Sequence, residues 1–280
     1  MKSSRSAQGV ALERALLSDM GILADHEARG MLTPQMAAIL KTARHLPLRL
    51  RLRSVTLAGL ATRVLWFDDQ IAKALEGGID QVVIVGAGYD TRAWRLRREG
   101  VRFFEVDHPA TLRDKRRRAP GHGPTYVEVD LRTESAMQRL SACGLISSRP
   151  AIFVVEGVSM YLSEAVVSRQ LQNLGESSTG SRLVVDFLPP RGFGTLQNHR
   201  QDRVQRLART GSGEGLGLLV DPLRAAELVK ASGWVVDEVT SMRHAASELL
   251  PCRSGLPLDA INEYKTLLAA SLDDVVGASA

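Results

Sequence analysis

Residues 82–96 read VVIVGAGYDTRAWRL. Four branched apolar residues run into Gly86-Ala87-Gly88, the pattern of a buried parallel strand closing in a tight turn, and Asp90-Thr91 then read as a helix start. Such a junction either binds a ligand or simply turns the chain. The two glycines permit close backbone approach and φ angles closed to other residues, and Asp90 is placed to cap the helix. A nicotinamide-binding turn wants a third glycine at position 91, for helix packing and pyrophosphate approach, where this chain has Thr91. A ligand with no pyrophosphate but a charged amino-acid end suits the loop better.

Downstream, short apolar runs alternate with helical stretches. TRAWRLRREG, VRFFEVD, ATLRDKRRRA, TYVEVDL, ESAMQRLSACG, AIFVVEG, EAVVSRQLQNLGES and SRLVVDFL follow in order. That alternation predicts right-handed crossovers and a doubly wound, mostly parallel α/β sheet, with ligands at the carboxyl ends of the strands. It breaks at Pro189-Pro190, and an arginine- and glycine-rich stretch runs to Gly217 before the helix DPLRAAELVKASG and the strand WVVDEV. An insertion of that length reads as a lid or substrate loop.

Upstream, residues 8–45 carry helical spacing with Leu12, Leu16, Met20 and Leu23 on one side, and Thr33-Pro34 opens a second helix. LPLRLRLRSV, residues 46–55, alternates like an edge strand between helical signals and stays ambiguous. Leu57 to Leu75 is helical again and Gly77-Gly78 ends it. The expected organisation is a single domain, with a helical cap (1–78), a cofactor-binding core (79–188), a lid insertion (189–217) and the remainder of the core (218–280).

Hydrophobic content of 44% and charged content of 24% are ordinary globular values, so neither disorder nor a membrane protein is indicated. The net charge of +5 comes largely from arginines in Arg49 to Arg53, Arg92 to Arg102 and Arg113 to Arg118. With few interleaved aromatics these read as a solvated surface rather than a nucleic-acid interface. Cys143 and Cys252 form no CxxC and no metal-ligand spacing, and are expected to be reduced, partly buried thiols. Glu13 and Arg14 interrupt the N-terminal apolar run, so a secretory signal is not indicated, and no apolar run approaches the ~20 residues of a membrane span. The expected location is cytoplasmic.

Three strands end in acids. Asp107 closes VRFFEVD where a doubly wound fold places a carboxylate for two ribose hydroxyls, with Glu105 on the same side of the strand but further from the ligand end. Asp130-Leu131 closes the third strand and Glu156-Gly157 the fourth. Three acids at consecutive strand ends, in line with a glycine turn, make a constellation.

GAGYDTRAWRL, FFEVDHPATLRDKRRR, VDLR and VVEGVSMYL, in that order, with TRVLWFDDQI and LLSDMGILADHEA upstream, resemble the leucine carboxyl methyltransferase family and its bacterial relatives over most of residues 11–188. The resemblance implies a class I methyltransferase, Rossmann-like fold and S-adenosyl-L-methionine as cofactor, with many bacterial members acting in secondary metabolism. It implies that Arg63 pairs with the carboxylate of the cofactor's methionine end, that Gly86 and Gly88 form the cofactor loop, and that Asp107 binds the ribose. Asp130 would accept from the adenine amino group, Leu131 cover its face, Glu156 lie beside the methionine amino group, and Tyr161 face the substrate. No metal is implied. The LRLRLR run and residues 189–217 depart from the family pattern, and substrate contacts come chiefly from such segments.

Methyl transfer from a sulfonium is an in-line displacement, so alignment and exclusion of water do most of the work. A carboxylate acceptor, with a pKa near 4, needs no base, whereas a phenol near 10 gains from one, with His108 and His199 the candidates. With no base motif evident, the reading is methyl-ester formation on a small, anionic organic acid or polyketide-like compound, with a protein C-terminal carboxylate as a variant. A phenol or hydroxyl O-methyltransferase is the alternative. A nicotinamide oxidoreductase lacks its third glycine and a Tyr-x-x-x-Lys pair. A nucleic-acid module built on Arg92 to Arg98 and Arg113 to Arg118 lacks a recognition motif.

Overall fold

The computed structural model describes residues 4–45, 55–190, 217–250, 255–256, 261 and 265–272. The LRLRLR run, the arginine cluster 49–53, nearly all of the 189–217 insertion with His199, and Cys252 lie outside the described residues.

Strand β1 (Gln81–Val85) is buried at every residue, so both its faces must be covered, and it pairs in parallel with β2 (Arg102–Asp107) and β4 (Ile152–Val155). With β3 (Thr125–Glu128), β5 (Arg182–Phe187), β6 (Val235–Ser241) and β7 (Thr266–Ser271) the sheet runs β3-β2-β1-β4-β5-β7-β6, and β7 runs antiparallel to both β5 and β6. Strand order reverses at β1, which opens a crevice beyond the carboxyl ends of β1 and β4.

Alternation sets the two cores. Val83, Val85, Phe104, Phe153 and Leu183 face helices α6 (Ala136–Ala142), α7 (Glu164–Leu174) and α8 (Pro222–Ala231) through Leu140, Leu171 and Leu228. Val82, Ile84, Phe103, Ile152 and Val154 face α3 (Val55–Glu76) through Leu60, Val64, Phe67 and Ile71, and α9 (Met242–Leu249) through Ala245 and Ala246. A third cluster joins α1 (Arg5–Asp19) and α2 (Pro34–Ala43) to Tyr89 of the glycine turn through Ala11, Ala15, Met31 and Leu40. Thr33 caps α2 and Pro34 opens it, as the sequence indicates. Among the described residues no helix is long and apolar enough to cross a membrane.

Several expectations are corrected. The buried face of α1 is Gln8, Ala11, Arg14, Ala15 and Leu17, while Leu12 and Leu16 are only half-buried, because small residues let the helix approach the glycine turn closely. TRAWRLRREG is helical only over α4 (Arg92–Arg95), and Thr91, the residue before it, makes no side-chain cap bond. The Asp90 carboxylate accepts the Arg92 N–H at 2.6 Å, so the capping bond expected of Asp90 is present. Between α4 and β2, Gly100 at φ +79° turns the chain. Cys143, expected to be partly buried, is exposed at the end of α6. Strand β7 and helix α9 were not legible as elements, since TLLAAS is a short apolar run that either type of element could supply.

Candidate active site

A cavity of about 1200 Å³ opens at the carboxyl ends of β1, β2 and β4, beneath α1 and α3. Arg63, Gly86, Gly88, Asp107, Asp130, Leu131, Glu156 and Tyr161 all line it. The residues singled out in the sequence therefore share one space, although they span nearly 100 positions of chain.

The glycine turn is shaped by its neighbours. Gly86 and Gly88 hold φ of +68° and +52°. A Cβ at Gly86 would run into Val158 of the strand-four loop, and one at Gly88 would lie 2.9 Å from the Ala7 Cβ of α1. The N–H groups of Gly86 and Ala87 both donate to the Val106 carbonyl, which ties the turn to the end of β2. Asp107, next along β2, accepts from the Gly88 N–H and the His108 N–H, both at 2.6 Å. Burial raises its pKa, and those two N–H bonds oppose the rise.

Glu105 does not reach the cavity. It is buried against Lys115 of α5 (Pro109–Arg116), and burial pushes its carboxyl up to about 7 despite the ammonium beside it. His108, the sequence's candidate base, lines the cavity but accepts the Ala110 N–H at Nδ1 (3.1 Å) and so caps α5. Asp130 Oδ1 accepts the Arg132 N–H at 3.1 Å, and Leu131 lies beside it.

At the opposite end Arg63 of α3 donates from Nε to Glu156 at 2.8 Å, and its Nη1 lies 3.7 Å from the buried Asp186. The second Glu156 oxygen lies 2.7 Å from Nη1 of Arg92. Burial disfavours the Glu156 charge, but Arg92 and Arg63 outweigh it and hold the carboxyl at about 2. Arg92 is fully buried, and also contacts Asp90 and Asp68 at 2.6 Å each. The expectation of a solvated arginine surface fails here: Arg92 and Arg95 turn inward because four carboxylates, Asp25, Asp68, Asp90 and Glu156, stand within reach.

The network continues to Arg14, which pairs with Asp25 at 2.7 Å and lies 3.6 Å from Asp90. Thr91 bridges, donating to Asp25 and accepting from Arg14. Lys265 sits 3.1 Å from Asp186. Among the described residues, five bases (Arg14, Arg63, Arg92, Arg95, Lys265) thus meet five acids (Asp25, Asp68, Asp90, Glu156, Asp186), and their charges balance. Most of it was invisible in the sequence. Asp68 lay within the FDD stretch without a role, and nothing in the spacing of Arg14, Asp25 and Asp186 links them. Among the described residues no group of His, Cys, Asp or Glu is arranged to hold a metal.

The profile of the leucine carboxyl methyltransferase family matches residues 7–175. Curated relatives named as S-adenosyl-L-methionine-dependent methyltransferases include one from Mycolicibacterium gilvum, 37% identical over 139 residues, covering 47% of this chain and 45% of the relative. Another, from Mycobacterium marinum, is 34% identical over 170 residues, covering 57% and 54%. The matched region spans about half the length of these relatives. The crystal structure of a Thermobifida fusca protein superposes over 98% of this chain and 96% of its own with a TM-score of 0.62 at 17% identity. A DUF574 protein from Streptomyces avermitilis does so over 86% and 91%, with a TM-score of 0.57 at 18% identity. Both share the fold.

Proposed function

The chain belongs to the leucine carboxyl methyltransferase family, and from that premise we propose that it is an S-adenosyl-L-methionine-dependent methyltransferase (EC 2.1.1) acting on an oxygen of a small organic molecule. The observation that carries the reading is the single cavity in which the glycine turn, the acids of β2, β3 and β4 and Arg63 converge. The names of the curated relatives support it.

The lining suits that cofactor on its own chemistry. A carboxylate offers about four lone-pair sites, of which backbone N–H groups occupy two at Asp107, so a ribose diol has acceptors left. Asp130 and Leu131 suit an adenine amino group and ring face. Arg63 suits the methionine carboxylate, because a guanidinium has donors beyond the Nε that Glu156 takes, and Glu156 suits the ammonium. When bound, the cofactor supplies a methyl group on a sulfonium. The chain's own residues orient: the ion-pair network fixes Arg63 and Glu156 in place, and α1, packed against Gly88 through Ala7, forms one wall of the cavity.

A carboxylate acceptor giving a methyl ester needs no base, and Lys265, a cation in the lining that the cofactor does not take, supports it. A hydroxyl acceptor giving a methyl ether needs one, and Glu13 of α1, in the same lining, favours that second reading. A small organic or polyketide-like acceptor suits a cavity of this volume in either case.

Thermal unfolding tests the cofactor assignment without an acceptor. At about 100 times its dissociation constant a ligand adds about 2.7 kcal/mol of stability. S-adenosylhomocysteine is therefore expected to raise the Tm by several degrees, with NADH leaving it in place. A shift with NADH and none with S-adenosylhomocysteine would sink the proposal.

A further inference from the structure

We propose that Glu13 is the residue that accepts the acceptor's proton, and that the acceptor is a phenol-type hydroxyl. The inference rests on the S-adenosyl-L-methionine reading above. Five acids line the cavity among the described residues: Glu13, Asp90, Asp107, Asp130 and Glu156. Four have evident work. Glu156 is held by Arg63 and Arg92, Asp90 by Arg92, Asp107 by two backbone N–H groups, and Asp130 by the Arg132 N–H. Glu13 stands apart from these. Its half-buried carboxyl projects from α1 and accepts a hydrogen bond from the Thr56 hydroxyl at the start of α3.

Among the described residues, the charged groups facing Glu13 are Arg63 from α3 and Lys265 at the entry to β7, each already beside Asp186, with Glu156 beyond Arg63; its neighbour Arg14 turns into the buried network. Burial raises the Glu13 pKa, and Arg63, Thr56 and Lys265 hold the rise back. A carboxylate made more basic by burial, in a cleft, beside the cations that would steady a developing oxyanion, is the arrangement proton transfer requires. Phenols, with a pKa near 10, are within its range, whereas aliphatic alcohols are far more weakly acidic. Leu12, Leu60, Met160, Met242 and Ile261 supply apolar wall for a ring.

In the step, the acceptor O–H bond breaks and its proton goes to the Glu13 carboxylate. The oxygen's electron pair forms the O–CH3 bond, and the S–CH3 bond breaks with its pair left on sulfur as a neutral thioether. A carboxylate acceptor would bring no proton for Glu13 and would face its negative charge.

The test uses protein saturated with S-adenosylhomocysteine and two fluorescent probes of equal ring size, naphthol and naphthoate. Wild type is expected to bind naphthol more tightly than naphthoate, and naphthol binding is expected to weaken as pH falls through the Glu13 pKa. Glu13→Gln is expected to weaken naphthol about tenfold, to strengthen naphthoate, and to leave S-adenosylhomocysteine affinity unchanged. Thr56→Val, which removes the hydrogen bond that favours the charged form, is expected to move the pH midpoint upward. Preference of wild type for naphthoate, binding of neither probe, or naphthol affinity indifferent to Glu13→Gln would overturn the inference while the cofactor reading stands. Failure of wild type to bind S-adenosylhomocysteine would instead overturn the cofactor reading itself.

Discussion

Arg92 is the residue on which the site's electrostatics turn, because it joins Asp68 of α3, Asp90 of the glycine turn and Glu156 just past β4 with no exposure to water. Removing one partner of such a network strands the others: Arg92→Met is expected to cost about 3–5 kcal/mol in denaturant unfolding, and a loss below about 1 kcal/mol, the level of an exposed ion pair, would mean the network is not tight. The pH dependence follows from the same contacts. Glu156 has its folded pKa lowered to about 2 from an ordinary 4.5, and Asp90 is lowered too, by Arg92 and Arg14 against the cost of burial. A depressed carboxyl contributes stability that is fully present above its unfolded pKa and disappears as pH falls through the folded one. Unfolding free energy should therefore drop between about pH 4.5 and 2, and Glu156→Gln should flatten that limb. At this scale the strand-end acids were legible because strand ends are where a doubly wound sheet presents its ligands. The partners of Arg92 were not, since an arginine in RAWRLRR reads the same whether it meets solvent or four carboxylates.

Among the elements, the glycine turn carries the tightest steric demand. Gly86→Ala combines a left-handed φ of +68° with a collision against the Val158 side chain. The substitution is expected to lower stability by about 2–5 kcal/mol, from backbone strain of about 1–2 and overpacking of about 1–3. Val158→Ala in the same protein should recover the overpacking share and leave the strain, which equilibrium unfolding of the two variants would show as non-additive losses. Additive losses would remove Val158 from the explanation. The turn was readable because a run of branched residues ending in Gly-Ala-Gly has few other structures. The helix after it was overread: charged residues in TRAWRLRREG keep a helical pattern, but α4 stops at Arg95 and Gly100 turns the chain into β2. Helix α1 is legible through Leu12 and Leu16, which pack against the cores, but Ala11 and Ala15 of its fully buried face carry little hydrophobic signal, although they permit the close packing that brings Glu13 and Arg14 to the cavity.

At the scale of the molecule, five parallel strands with a topological switch at β1 place one crevice over β1, β2 and β4, and α1 and α3 complete it. The parallel half of the sheet was legible from alternating apolar runs and helices. The antiparallel closure by β7 was not, because its pairing with β5 and β6 joins segments far apart in sequence and the insertion between them breaks the pattern. Calorimetric titration with S-adenosylhomocysteine tests most directly that this crevice is a cofactor site, with NADH as the comparison and Asp107→Asn as the variant. Saturable binding of S-adenosylhomocysteine alone, weakened about tenfold or more in Asp107→Asn by the loss of a charged hydrogen-bond acceptor, is the result the account requires. Absence of binding, a preference for NADH, or equal affinity in the Asp107→Asn protein would contradict it.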